Sequence, residues 1–109
     1  MPQRRECKFS SFELTNLSVH RKSGSTWFLK IEIRVPQPYP DLSLYVELYD
    51  CEENIVAVAY LDDVKVEGSN TIIEIPLLRV DSLSKARVTL TSNREELWTV
   101  EAGINAHNY

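Results

Sequence analysis

Apolar and polar residues alternate with period two through most of the chain, most clearly in "TWFLKIEIRV". There Trp27, Leu29, Ile31, Ile33 and Val35 fall on one side, while Lys30, Glu32 and Arg34 fall on the other. Successive side chains of a strand point to opposite faces, so this spacing predicts a half-buried strand and not a helix. In "LSLYVELYD" the aliphatic set Leu42, Leu44, Val46 and Leu48 alternates with Ser43, Tyr45, Glu47 and Tyr49. One face is thus a core face and the other is half-exposed. "NIVAVAYL" is apolar on both faces, Ile55, Ala57, Ala59 and Leu61 against Val56, Val58 and Tyr60. A strand covered on both sides is expected to read this way.

Four more segments complete the pattern. "TIIEIPLL" aligns Ile73, Ile75 and Leu77, "KARVTLTS" aligns Ala86, Val88 and Leu90, and "ELWTVEAGI" aligns Trp98, Val100, Ala102 and Ile104. In "FSSFELTNLSVH" the pair Phe12 and Leu14 is out of phase with Leu17 and Val19, which predicts a bulge near Thr15 and Asn16. Pro76 has no N–H to give to a ladder, so its strand is expected to be an edge or to kink there. Turn signals stand between the segments at Ser23-Gly24-Ser25, "PQPYPD", "CEEN" and "EGSN". No segment has a convincing helical period, although "RVDSLSKA" has room for one turn. Seven short strands at this spacing predict an all-β, seven-stranded antiparallel two-sheet sandwich of immunoglobulin-like architecture. The hallmarks of a true immunoglobulin domain are missing, because Cys7 and Cys51 do not straddle a tryptophan in the required order.

A chain of 109 residues makes a single domain, 1–109, large enough to bury a core without a staple. Its ends, about 1–8 and 105–109 (the latter within "INAHNY"), lack pattern and are expected to be mobile. Net charge is −4, which gives no electrostatic reason to approach nucleic acid or an anionic membrane. The basic groups Arg4, Arg5 and Lys8, and His20, Arg21 and Lys22, are short and read as solvated surface. Cys7 and Cys51 make no disulfide framework, and pair only if the fold brings the terminus to the acidic turn. His20 and His107 stand at no ligand spacing from a cysteine, so neither a metal nor another cofactor is expected. No apolar run has signal-peptide or membrane length. A complete chain would then be cytoplasmic, and an excised domain extracytoplasmic. The glycosylation sequon at Asn16 matters only in the second case.

From "LKIEIRVPQPYP" through "SLYVELYDCEENIVAVA" to "VEGSNTIIEIPL", the order of features resembles the FxLYD domain family. Those small bacterial sandwiches are named for a strand ending in Leu-Tyr-Asp before a tight turn, a motif matched here by Val46, Glu47, Leu48, Tyr49 and Asp50. The likeness covers about half the chain. It departs at Val46, where the family carries Phe, at Glu53, where a turn glycine is usual, and in the lack of a lipoprotein signal. "RVPQPYPDLSL" is similar, more weakly, to the late-embryogenesis-abundant water-stress domain, with Val35-Pro36 in place of that family's Asn-Pro. The resemblance implies a non-enzymatic accessory or interaction module with no catalytic residues.

Three features are candidate sites. The acidic turn, Asp50, Glu52 and Glu53, is followed by Asp62 and Asp63. The outgoing strand separates the two groups by about 25–30 Å, at roughly 3.3 Å per residue, so they are not expected to share a calcium ion, and Asp50 is expected to bind turn amides. "PQPYP", with Pro36, Pro38 and Tyr39, is either a polyproline docking segment or a rigid connector. The aromatics Phe28, Tyr45, Tyr49 and Tyr60 point away from the predicted core and are either a binding face or ordinary cross-strand pairs. The chain has neither a nucleophile elbow nor a phosphate-cradling glycine loop.

The expectation is therefore a non-enzymatic protein-interaction module working through a sheet face or an edge strand, its partner another protein or a second copy. No small-molecule substrate is expected. The alternative is a structural or accessory subunit of a larger assembly, such as a viral particle or a secretion apparatus.

Overall fold

The computed structural model describes residues 12–21, 24, 26–66, 68, 70–78 and 82–106. Seven strands of seven to nine residues follow one another: β1 (Glu13–Arg21), β2 (Trp27–Arg34), β3 (Leu42–Tyr49), β4 (Ile55–Leu61), β5 (Thr71–Leu77), β6 (Lys85–Ser92) and β7 (Glu95–Gly103). A two-residue piece, β8 (Asn105–Ala106), comes last. The strands make two sheets, ordered β5-β2-β1-β8 and β4-β3-β6-β7. All pairings among β1 to β7 are antiparallel. Only β8 runs parallel to its neighbour, β1, an addition that period-two reading had no means to foresee. The seven-stranded sandwich is thus present. In a constant-type immunoglobulin domain the fourth strand joins the fifth; here it pairs with the third instead.

The alternating aliphatic residues become the core. Leu29, Ile31, Ile33 and Val35 from β2 and its end meet Leu42, Leu44, Val46 and Leu48 of β3 and Ala86, Val88 and Leu90 of β6, all buried. Leu17 and Val19 of β1 complete the floor of the other sheet. The phase change near Thr15 is a register shift between Leu14 and Asn16 in the β1–β2 pair. It turns Leu17 and Val19 inward after the strand has started in the opposite phase. Pro76 lies in β5, an edge strand, where a missing N–H is tolerated.

Two bulges carry no sequence signal. One is in β7, where Thr91 pairs with Glu96 and Leu90 with Trp98, leaving Leu97 unpaired. The other is in β4, where Tyr49 pairs with Ile55 and Leu48 with Ala57, leaving Val56 unpaired.

β4 departs from expectation. Read as a strand covered on both faces, it is the outermost strand of its sheet, with Ile55, Val56, Ala57, Val58 and Tyr60 exposed. Composition reports that a strand is apolar on both faces, but strand order decides whether anything lies over them.

The two sides of the sandwich differ. On one, the chain passes from β7, at the edge of one sheet, directly to β8, at the edge of the other, lacing that side. The other side is flanked by the edges β4 and β5. Val64 and Val66, in the connection between them, pack against the core, and the Val64 N–H donates to the Leu42 carbonyl at 2.8 Å. Among the described residues there is no helix; of "RVDSLSKA", which has room for one turn, 79–81 lie outside the described residues and Ser82 stands in a turn before β6. Residues 1–11 and 107–109 lie outside the described residues, as do Lys22 and 79–81. With them go the expectations for Arg4, Arg5, Lys8, Cys7 and the mobile termini, except that 105–106, expected to be mobile, pair with β1 as β8. Cys51 is an exposed free thiol.

Candidate functional site

The side bordered by β4 and β5 contains an apolar cleft of about 560 Å³ between the sheets. Its floor is Leu29, Val46 and Leu48, and its walls are Ala57 and Ala59 of β4 and Ile75 and Leu77 of β5. The small side chains of Ala57 and Ala59 leave space that larger residues at the same positions would fill. Leu78 and Leu83 stand at one end of the cleft, and Leu78 is fully exposed. Above it runs the edge of β4, which among the described residues has β3 on one side and no strand on the other. The backbone groups along such an edge are ready to receive another strand. Val58 is 56% and Tyr60 61% exposed, against the wholly buried Val46 and Val88 on the strands behind them.

Edges of this kind are ordinarily blunted by charge or proline. β5 follows that rule, with Glu74 exposed on its outer face and Pro76 within it. β4 does not. Within Ile55–Leu61 it has neither a charged residue nor a proline, and its bulge at Val56 leaves Ala57–Leu61 regular.

The predicted aromatic patch is brought together only in part. Tyr45 and Tyr60 are cross-strand neighbours on β3 and β4. Tyr49 lies further along the same face of β3, beneath Lys85 at 5.6 Å from its ring centroid. Phe28 does not join them, because β2 belongs to the opposite sheet. Across β6 and β7 that outer face is committed to ion pairs and hydroxyls. Arg87 donates to Glu101 at 3.1 and 3.3 Å, Lys85 reaches Glu53 at 2.9 Å and Glu101 at 3.5 Å, and Thr89 meets Thr99 at 2.9 Å. The Arg87 guanidinium and the nearby Lys85 ammonium hold the Glu101 carboxyl below its usual range. Partial desolvation and the hydrogen bond to Glu47 raise the Tyr49 hydroxyl. Such exposed pairs contribute little stability, but they make this a solvated face.

In "PQPYP", Tyr39 is turned inward. Its ring lies 5.7 Å from Phe12, which stacks on Trp98 at 5.8 Å. Ser92 donates to the Pro40 carbonyl at 2.6 Å. Pro36 and Pro38 remain exposed, but the aromatic that would anchor a docking segment is already used, which favours the rigid connector.

The acidic turn is a turn. One Asp50 oxygen accepts from the Glu52 and Asn54 amides, both at 2.9 Å, and the Asn54 side chain reaches the other at 3.4 Å. Glu53 adopts φ 70°, the left-handed conformation that glycine takes most easily. The family likeness marked this position as one where glycine is usual. The Asn54 and Glu52 amides bind the ionised form of Asp50, so its carboxyl titrates below its ordinary 3.8. Because the folded-state value is the lower one, the turn's contribution is complete above about pH 4 and is lost as pH falls through the lowered value. Asp50→Ala is expected to lower Tm by a few degrees at pH 7 and to narrow that gap below pH 3, as read by thermal unfolding across pH.

Among the described residues, no group of three or more His, Cys, Asp or Glu is placed to hold a metal ion, and no helix is long and apolar enough to cross a membrane. The site is thus that of an all-β sandwich with one unprotected apolar edge over an open cleft. No protein-family model and no curated protein sequence matches the chain.

Proposed function

We propose that this protein is a non-enzymatic interaction module that takes up an extended segment of a protein partner along the free edge of β4. The observation that carries the reading is β4 itself: seven residues, apolar on both faces, at the border of its sheet, with no charge and no proline. Strand addition satisfies the free backbone groups of an edge by hydrogen bonds and takes its selectivity from pockets for alternate side chains. The cleft beneath β4 provides such pockets, between Ala57, Ala59, Ile75, Leu77 and Leu83. An apolar small molecule in the cleft would leave the backbone of the edge unsatisfied, so a peptide chain suits this place better. Of the two routes named by the sequence, sheet face and edge, the ion-paired outer face favours the edge. The likeness of Leu48-Tyr49-Asp50 to the FxLYD domains belongs to the same proposal and agrees with a binding, not a catalytic, role.

Selection of unstructured peptides from a display library tests this reading. Enriched peptides are expected to bind with micromolar affinity and to slow amide hydrogen exchange in β4 more than in any other strand. Enriched peptides that protect some other strand, or a library that yields no binder, would sink it.

A further inference from the structure

We infer that the segment taken up by β4 is a foreign strand with alternating apolar side chains and Lys or Arg at both ends, and is not a second copy of this chain. The inference rests on the edge-docking reading and names its occupant. Its basis is the charge at the two ends of the apolar edge. Asp50, Glu52 and Glu53 precede β4, and Asp62 and Asp63 follow it. Two of these acids have lysine partners, Glu53 with Lys85 at 2.9 Å and Asp63 with Lys65 at 3.2 Å. Five carboxylates therefore face two ammonium groups around seven uncharged residues.

Self-pairing sets these charges against one another. An antiparallel pair of β4 strands about a two-fold at Val58 places Glu53 opposite Asp63 and Asn54 opposite Asp62 of the other copy. Moving the two-fold to Ala57 places Glu52 opposite Asp62 instead. A parallel pair in register sets each acid against its own copy. Like charges directly opposite destabilise a strand pair, and here they occur at both ends in each of these registers. An apolar edge with acidic ends is thus biased against itself while staying open to a strand whose ends are basic.

The geometry sets the size of that strand. From Glu53 to Asp62 the edge runs about 30 Å, at roughly 3.3 Å per residue. The occupant is then an apolar stretch of about seven residues between its basic ends. Every second side chain enters the cleft, against Ile75, Leu77 and Leu83. The intervening ones lie beside Val58 and Tyr60 on the outer face, where polar or aromatic residues are accommodated.

A small panel of synthetic peptides tests the inference, each with a seven-residue alternating Val/Thr, Ile/Ser or Leu/Thr centre. Every centre is made with two lysines, or with two glutamates, at each end. Fluorescence anisotropy gives the affinity, amide exchange gives the place, and light scattering gives the mass of the free protein. We expect at least one lysine-ended peptide to bind at low salt at least tenfold tighter than its glutamate-ended form, with β4 protected. The gap should close at high salt and in the E52Q/E53Q/D62N/D63N protein, whose amides still accept the hydrogen bonds that Tyr60 and Ser43 make to position 62. Equal binding of both forms along β4 would overturn the charge inference and keep edge docking. Doubling of the 12.6 kDa mass with β4 protected would make a second copy the occupant and overturn the inference in another way. Failure of every peptide to protect β4 would remove both readings.

Discussion

Leu44→Ala is expected to destabilise the protein by about 2–5 kcal/mol, enough to leave it partly unfolded at room temperature if its total stability is near the low end for such domains. Leu44 is wholly buried in β3, paired in register with Leu61 of β4 on one side and Leu90 of β6 on the other. Val46 and Leu42 lie next to it on the same face, and both are also buried. Truncation there removes transfer energy and leaves a void that neighbouring strands, held by ladders on both sides, close only in part. Urea unfolding checks this: the midpoint should fall steeply with an unchanged slope, since the surface exposed on unfolding is nearly the same. Thermal unfolding should show Tm lower by at least ~10 °C. A midpoint within 0.3 M of the wild type would mean that the two sheets are not packed as described.

Leu44 was legible as core from its spacing alone, and so were its partners. A period of two fixes which residues share a face, and in β2, β3 and β6 one face is aliphatic and the other polar. Local chemistry also carried the turn at Asp50, because a carboxylate at the start of a tight turn has nearby amides to accept from. It carried the bulge at Thr15, where the apolar phase changes, and through Pro76, which lacks a donor, it left β5 either a border or a kinked strand, of which the border is found. What local chemistry does not encode is which strands are neighbours. Phe28 alternates as three tyrosines do that lie on the other sheet, and nothing in "PQPYP" shows that the Tyr39 ring packs against Phe12. For the same reason the apolar residues on both faces of β4 do not show that it borders its sheet. The cleft depends on β4 and β5 bordering different sheets on one side, and their adjacency in the chain does not reveal that.

Val58 and Val88 separate these two kinds of information, and substituting each by lysine is expected to give opposite results. Both are valines in strands of the same sheet, with β3 lying between them. Val88 pairs with Val46 and Val100 in the ladder and has no exposed surface. A lysine there has no acidic partner and would be buried either charged or neutral at high cost, so Val88→Lys should fail to fold. Val58 is 56% exposed at the edge. Val58→Lys should change stability by no more than about 0.5 kcal/mol, and its Tm should match the wild type. It places on the outer face of β4 the charge with which sheet proteins commonly guard their edges. Binding of a lysine-ended strand should therefore weaken by at least tenfold, through a repelling charge on the receiving edge, while the fold is retained. Anisotropy titration beside thermal unfolding of the same sample separates the two effects. If Val58→Lys bound such a peptide as tightly as the wild type, the edge of β4 would not be the place of docking. If it lost stability as Val88→Lys is expected to, then β4 would already be covered, as its sequence first suggested.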